Sequence, residues 1–302
     1  MADQNAAANN ELSTCAEVRR SFIEALCALG IEASEARREA EIALMHVTSS
    51  AAHELLLRAD QPLAEAHAQA LTEILNQRLV RKPLQYALGE TYFMGFKFAV
   101  GPGVLIPRPD TEVIVAAILA EIKATAGLQQ RCNLLEVGAG TGAIVISLLM
   151  LCPNLTATVF EISPQAAHFC RINALCHGVY ERLNIIEEDY MTGLPQLSGH
   201  FDLFCSNPPY IPVELARELA PEILLYEPAL ALVGQGADGL GFYRNFAQIL
   251  PSVPATAQAT MLVELGQGQG ADVSAIFEQA GWRDLRLLPD LSGIERVLSA
   301  RK

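Results

Sequence analysis

The run Asn133-Leu134-Leu135-Glu136-Val137-Gly138-Ala139-Gly140-Thr141-Gly142 constrains this chain more than any other. It reads as a buried strand that passes directly into a glycine turn and then into an apolar, helix-compatible segment, Ala143 to Leu151. Glycine takes φ values that other residues avoid and lets the main chain pass close to a ligand. The spacing is G-x-G-x-G rather than the G-x-G-x-x-G of dinucleotide folds, so it predicts a smaller nucleoside ligand rather than a pyrophosphate. Gly138, Gly140 and Gly142 are the expected cradle, with Glu136 on the strand that feeds it.

Three further strand-like runs end in polar residues. Thr156 to Phe160 ends at Glu161, twenty-five residues after Glu136, where a carboxylate is placed to accept hydrogen bonds from ribose hydroxyls. Leu183 to Ile186 is followed by Glu187, Glu188 and Asp189, and Asp189 is placed to accept a bond from an adenine amino group. Phe201 to Ser206 ends at Asn207-Pro208-Pro209-Tyr210. Each of Asn207 and Pro208 precedes a proline and is pushed toward extended geometry, while the rings of Pro208 and Pro209 fix φ. The Asn207 side-chain carbonyl and the Pro208 main-chain carbonyl can together take both hydrogens of one NH2 group, and Tyr210 is placed to cover its flat face. A planar nitrogen is a poor nucleophile because its lone pair is delocalised, so holding both hydrogens before reaction sets its aim without a base beside it. A Pro-Pro pair taken alone reads as a plain turn. The ordered set of glycine loop, acid, Asp and Asn-Pro-Pro-Tyr after successive strands resembles the class I S-adenosylmethionine-dependent methyltransferases, specifically those acting on planar nitrogen.

The segment ahead of the glycine loop narrows the resemblance. Lys82-Pro83-Leu84-Gln85-Tyr86-Ala87-Leu88-Gly89-Glu90, Phe93-Met94-Gly95-Phe96 and Ile106-Pro107-Arg108-Pro109-Asp110-Thr111-Glu112 resemble the PrmC/HemK family, the glutamine N5-methyltransferases of peptide chain release factors. So do Glu227-Pro228, Gly239-Leu240, Glu264-x-Gly266-x-x-Gln269 and Asp290-x-x-Gly293-x-x-Arg296. The resemblance implies a Rossmann-like α/β domain of seven strands with an antiparallel strand near its edge, preceded by a helical bundle. It implies S-adenosyl-L-methionine as cofactor, S-adenosyl-L-homocysteine as product, and methyl transfer to the side-chain amide of the glutamine in a release factor's Gly-Gly-Gln motif. Asn207, Pro208 and Tyr210 are then the catalytic set, with Asn207 also touching cofactor; Pro209 and Arg108 join them against substrate. Ala139 stands where the family often has Thr or Cys, and Glu161 where Asp is common. A sibling family that methylates a ribosomal-protein glutamine shares Asn-Pro-Pro-Tyr but usually lacks the Pro-Asp-Thr-Glu run, and adenine-N6 nucleic-acid methyltransferases also carry Asn-Pro-Pro-Tyr. Arg108, stiffened by Pro107 and Pro109, has a fork of donors suited to carbonyls or a carboxylate; its bland role is pairing with a neighbouring acid. Thr111 or Asp110 is expected to cap a helix from Glu112 to Lys123.

A net charge of −13 without a dense Lys/Arg cluster argues against nucleic acid as the direct substrate and suits a basic protein partner. The seven cysteines show no C-x-x-C and read as reduced, buried thiols of a cytoplasmic protein; the histidines lack ligand spacing, so no metal is expected. No apolar stretch reaches membrane-spanning length, and the polar start is neither signal peptide nor anchor. The expected organisation is a disordered N-terminus over 1–10 and a helical substrate-recognition domain over 11–85. A β-hairpin linker over 86–104 and a methyltransferase domain over 105–302 follow. Helical periodicity covers Val18 to Leu29, Ala40 to Val47 and Leu71 to Leu79, with Gln61-Pro62 opening the last. Aromatic-rich Tyr92 to Phe98 reads as the hairpin, and alternating strands and helices beyond it imply a mostly parallel sheet wrapped by helices.

Overall fold

In the computed structural model, which describes residues 13–125, 131–191, 197 and 199–302, Thr14 opens the first helix, α1 (Cys15–Ala28). Its hydroxyl accepts from the Glu17 amide while the Glu17 carboxylate accepts from the Thr14 N–H, satisfying two orphan donors of the first turn. Gly30, at φ 82°, closes the helix with its amide on the Cys27 carbonyl. Four more helices follow: α2 (Ala33–Thr48), α3 (Ala52–Leu57), α4 (Glu65–Leu79) and α5 (Leu84–Leu88). They form one compact unit that divides from the rest after Leu88. The expected disordered segment 1–10 lies outside the described residues.

The core of this unit is Phe22 and Leu26 of α1, Ala36, Ala40, Ala43 and Leu44 of α2, and Leu71 and Ile74 of α4. Alanines along one face of α2 let its neighbours approach, and the longer side chains fill the space between them. α4 begins three residues beyond the expected Gln61-Pro62 start. Pro62 pairs as an isolated bridge with Thr14, and the Leu63 amide donates to the Ser13 carbonyl, so this stretch is extended. Within the core lies a charged pair. Arg78 Nε and Nη2 donate to Glu39 Oε2 and Oε1 at 2.6 and 3.0 Å, and Arg78 Nη1 donates to the Lys82 carbonyl at 2.6 Å.

The second unit starts with a hairpin, β1 (Glu90–Phe93) and β2 (Phe96–Ala99), turning at Met94-Gly95. Asn173 holds it down: its Oδ1 accepts from the Ala99 N–H at 2.7 Å, and its Nδ2 donates to the Ala99 and Thr141 carbonyls. α6 (Glu112–Thr125) leads to β3 (Cys132–Val137), α7 (Ala143–Leu151), β4 (Leu155–Phe160), α8 (Pro164–Cys176), β5 (Leu183–Ile186) and β6 (Phe201–Ser206). A short helix α9 (Pro221–Tyr226), α10 (Gly241–Ile249), β7 (Ala255–Glu264), α11 (Gly270–Gln279), β8 (Arg283–Pro289) and β9 (Glu295–Arg301) complete it.

Seven strands form one sheet in the order β5-β4-β3-β6-β7-β9-β8, parallel from β5 to β7, with β9 second from the edge and antiparallel to both neighbours. This is the α/β, Rossmann-like arrangement expected for the class. Side chains alternate across the sheet. Leu134, Val159, Leu203 and Cys205 enter the layer shared with α6, α7 and α8, while Leu135, Phe160 and Phe204 enter the layer shared with α10 and α11. Both faces are covered, which is why the central strands read as nearly continuous apolar runs. The chain leaves β3 toward β4 on one side and returns to β6 on the other, and a crevice opens at the carboxyl ends where the order reverses.

The cysteines depart in part from expectation. Five are buried, but Cys27 and Cys176 are exposed, because each falls on the outer face of its helix; all seven are free thiols. Among the described residues no helix is long and apolar enough to cross a membrane. Glu39→Ala would leave the Arg78 guanidinium buried without its carboxylate and should destabilise the helical unit by about 3–5 kcal/mol. Chemical denaturation of the full chain reads this directly, and a loss below about 1 kcal/mol would show the pair to be solvated in practice.

Candidate active site

The crevice is a cavity of about 190 Å³ at the carboxyl ends of β3 to β6. Its polar rim comes from Gly138, Gly140, Glu161, Asp189 and Asn207, and its apolar walls include Val104, Ile162, Leu230 and Phe242. Of the residues expected from sequence, Gly138, Gly140, Glu161, Asp189, Asn207 and Pro209 line it. Glu136, Gly142, Pro208, Tyr210 and Arg108 are not among its lining residues.

The glycines differ in what they do. Gly138 and Gly140 have φ of 78° and 57°, and a Cβ on Gly140 would meet nothing within 4 Å, so this turn presents bare main chain to open space. Gly142, at φ 79°, is a packing residue. A Cβ there would lie 2.5 Å from Ile146 Cδ1 and 2.9 Å from Cys170 Sγ, so only glycine lets α7 start directly against α8. Glu161 closes the loop from the next strand: its Oε2 accepts from the Gly140 N–H at 2.8 Å and its Oε1 from the Ser163 N–H at 2.9 Å. Burial raises the Glu161 pKa, and these main-chain donors, with Ile162, pull it partly back. Asp189 accepts from the Met191 N–H at 2.8 Å.

Glu136 lies beneath the loop, 1% exposed, and neither carboxylate oxygen has a well-formed hydrogen bond among the described residues. Burial pushes its pKa well up, the Glu161 carboxylate adds to the shift, and the Val145 amide in the first turn of α7 opposes both. The strand alternation that makes Val137 apolar on one face forces Glu136 to the other, under the helix N-terminus rather than into the crevice.

Asn207 is oriented rather than loose. Its Nδ2 donates to Thr111 Oγ1 at 3.0 Å, so the hydroxyl of Thr111 turns to the site, and the residue expected as a helix cap serves there instead. Tyr210 is gripped from three sides. Its carbonyl accepts from Gln269 Nε2 at 3.0 Å, its ring packs beside Gly266, and its hydroxyl points to Glu264 Oε1 at 3.5 Å. A Cβ on Gly266 would stand 2.6 Å from Gln269 Oε1 and 3.0 Å from Tyr210 Cδ2, which explains the spacing Glu264-x-Gly266-x-x-Gln269 in physical terms. Burial, then the Glu264 carboxylate, pushes the Tyr210 phenol up to about 12, so it stays a neutral donor. Glu264 is itself buried, and desolvation raises it to about 7.

Arg108 takes the bland role in this structure: its guanidinium pairs with Glu227. The other Glu227 oxygen accepts from the Ile106 N–H at 3.2 Å, so one buried carboxylate ties the 104–108 segment to the Pro228–Ala231 turn on the far wall. Sequence reasoning assigned no role to Glu227, Glu264 or Gln269. The signal was present in the quoted motifs, but their partners lie about 50 to 120 residues away.

Residues 17–89 match the model of the PrmC N-terminal domain and residues 114–236 that of the methyltransferase small domain. The release factor glutamine methyltransferase of Cereibacter sphaeroides is 36% identical over 95% of this chain and 98% of its own. This chain belongs to the release factor glutamine methyltransferase family. The enzyme of that name from Geobacter sulfurreducens is 38% identical over 82% of this chain and 83% of its own. Among solved structures, the hMettl16 catalytic domain superposes with a TM-score of 0.51 at 10% identity, covering 78% of this chain and 79% of that one, which shows a shared fold.

Because its raised pKa is a property of the folded state, Glu136 favours folding in its protonated form; that contribution is complete below the unfolded value near 4.5 and is lost as pH rises toward the folded pKa. Glu136→Gln should therefore raise the melting temperature more at about pH 8 than at about pH 6. Equal gains at both would show that the carboxylate is not desolvated.

Proposed function

We propose that this protein transfers a methyl group from S-adenosyl-L-methionine to the side-chain amide nitrogen of the glutamine in the Gly-Gly-Gln motif of a peptide chain release factor. The observation that carries this reading is the fixed Asn207 amide. With its nitrogen committed to Thr111 at 3.0 Å, its oxygen is the end left for an incoming NH2 group.

The cavity suits the nucleoside half of the cofactor. The bare main chain at Gly138 and Gly140 admits close approach, Glu161 is a buried carboxylate for ribose hydroxyls, Asp189 stands beside the rim, and apolar walls are ready for a flat ring. When bound there, S-adenosyl-L-methionine supplies an electrophilic methyl group, and S-adenosyl-L-homocysteine remains. The chain's own residues hold the substrate amide: the Asn207 oxygen and the Pro208 carbonyl each take one N–H, and Tyr210 covers the plane. Fixing both hydrogens before reaction removes rotations that the free amide would otherwise make and orients the nitrogen lone pair. The positively charged product amide can release its proton afterward to solvent, so no base is required for attack. Arg108, held by Glu227, contributes by keeping the Val104–Arg108 wall in place. The helical unit, which matches the PrmC N-terminal domain, serves as the recognition module for the protein substrate. The net charge of −13 favours a basic partner.

The deciding experiment is transfer of labelled methyl to purified release factor, wild type against a factor lacking the motif glutamine. Label on the first alone is expected; equal label on both would overturn the assignment. Asn207→Ala should reduce turnover by about a hundredfold or more while leaving the cofactor dissociation constant within about threefold. Glu161→Ala should do the reverse, weakening cofactor binding by about ten- to a hundredfold in calorimetric titration.

A further inference from the structure

The proposed reaction uses the Asn207 oxygen and the Tyr210 ring but leaves a buried carboxylate behind them without a task. Glu264 ends β7, one of the parallel strands, and is 3% exposed; its Oε1 faces the Tyr210 hydroxyl at 3.5 Å, and its Oε2 has no partner at hydrogen-bond distance among the described residues. Thr111, equally buried, accepts from Asn207 Nδ2 at 3.0 Å. A hydroxyl that accepts must direct its own hydrogen elsewhere. Asp110, next to Thr111, pairs at 2.9 Å with Arg296 of β9, whose neighbour Val297 lies across from Glu264 in the sheet, so the carboxylate on this side of Thr111 is that of Glu264, and the Thr111 side chain favours its ionised form.

We propose that Thr111 and Glu264 are positioning residues for the transfer, a claim that rests on the reading of Asn207 given above. Ionised Glu264 can only accept, so it draws the Thr111 hydrogen toward itself; the Thr111 oxygen then accepts from Asn207, and the Asn207 oxygen is turned to the substrate. Protonation of Glu264 reverses this polarity. The acid can donate to Thr111, the Thr111 hydroxyl can donate to the Asn207 oxygen, and the amide is free to flip and present its own NH2 to the substrate's NH2, where two donors meet. The relay therefore selects between a site that accepts an amide nitrogen and one that repels it. It links three segments distant in sequence: the turn before α6, the loop after β6 and the end of β7.

The groups around Glu264 can be named from every side. Arg296 of β9 favours the ionised form; Asp110, beside Thr111, opposes it; and the Tyr210 and Thr111 hydroxyls favour it. The Tyr243 hydroxyl from α10 is spent on the Glu264 main-chain carbonyl at 2.8 Å and leaves the carboxylate alone. Arg296 is shared with Asp110 at 2.9 Å and Asp290 at 3.0 Å, so its pull on Glu264 is moderated. Desolvation, the largest influence, brings the carboxyl to about 7, so both polarities of the relay fall within an ordinary assay range.

The test measures initial rates of methyl transfer to release factor against pH, with cofactor binding and thermal melting alongside, for wild type, Thr111→Val, Thr111→Ser and Glu264→Gln. For wild type, kcat should fall about tenfold per pH unit below about 7, as expected when one ionised group is required. Thr111→Val should lower kcat by about tenfold or more with the cofactor dissociation constant within about twofold, and Thr111→Ser should restore most of it. Glu264→Gln, an isostere that cannot titrate, should lose the acid limb, and it carries the test if the valine variant folds poorly. Wild-type kcat in Thr111→Val, or an unchanged acid limb in Glu264→Gln, would overturn the relay alone. A wild-type enzyme that leaves the motif glutamine unlabelled would overturn the functional reading and the relay with it.

Discussion

Burying carboxylates at the carboxyl edge of a parallel sheet is the constraint on which the rest of this structure depends. Glu136 on β3, Glu161 just past β4 and Glu264 at the end of β7 all sit where strands stop, and all three are almost fully buried. A buried acid is costly unless it is neutral or met by donors. The molecule handles each one differently. Glu136 is desolvated beneath a helix N-terminus, Glu161 is met by main-chain amides of the glycine loop and of Ser163 just ahead of α8, and Glu264 is left half-partnered beside Thr111 and Tyr210. The differing environments separate an acid sealed beneath the loop, a cavity-lining acid and an acid that burial pushes up to about 7.

The glycine loop follows from the same constraint. To bring the Gly140 amide within 2.8 Å of Glu161, the chain must turn through positive φ, and to start α7 against α8 at Gly142 it must carry no Cβ. One loop thus satisfies an acid, opens a cavity and packs a helix. The hairpin contributes from the other direction. Asn173 of α8 bonds both β2 and the Thr141 carbonyl, so the loop is tied to the hairpin through a side chain seventy-four residues beyond Ala99 and thirty-two beyond Thr141. Rigid surroundings of this kind allow a reacting group to be held with little reorganisation.

Much of the sheet was legible because strands buried on both faces are continuous apolar runs. β5 and β6 run from Leu183 to Ile186 and Phe201 to Ser206, as the hydrophobic pattern indicates. Short elements were not legible. α3 and α5 span six and five residues, too few for a helical period to declare itself, and no residue of α3 is fully buried. The site divides in the same way. Gly138, Gly140, Glu161, Asp189, Asn207 and Pro209 were recognisable because each follows directly from a strand end. Glu227, Thr111, Glu264 and Gln269 matter through partners far along the chain, and no local pattern carries such a pairing. Arg108 illustrates the limit: its flanking prolines indicate a stiff loop, but nothing near it in sequence names Glu227 as its counter-ion.

What the sequence determined by itself was local: where strands end, which turns need glycine, and that a proline-stiffened Asn-Pro-Pro-Tyr corner follows the fourth strand of the parallel set. These properties depend on φ preference, side-chain period and ring constraint, all of which act within a few residues. The tertiary structure alone decided which side of the sheet each acid faces, that Glu136 lies under the loop while Glu161 lines the cavity, and that Thr111 and Glu264 stand behind Asn207. Those outcomes depend on burial and on hydrogen-bond partners supplied by other strands and helices, and a charge acquires its environment only when the chain has closed around it.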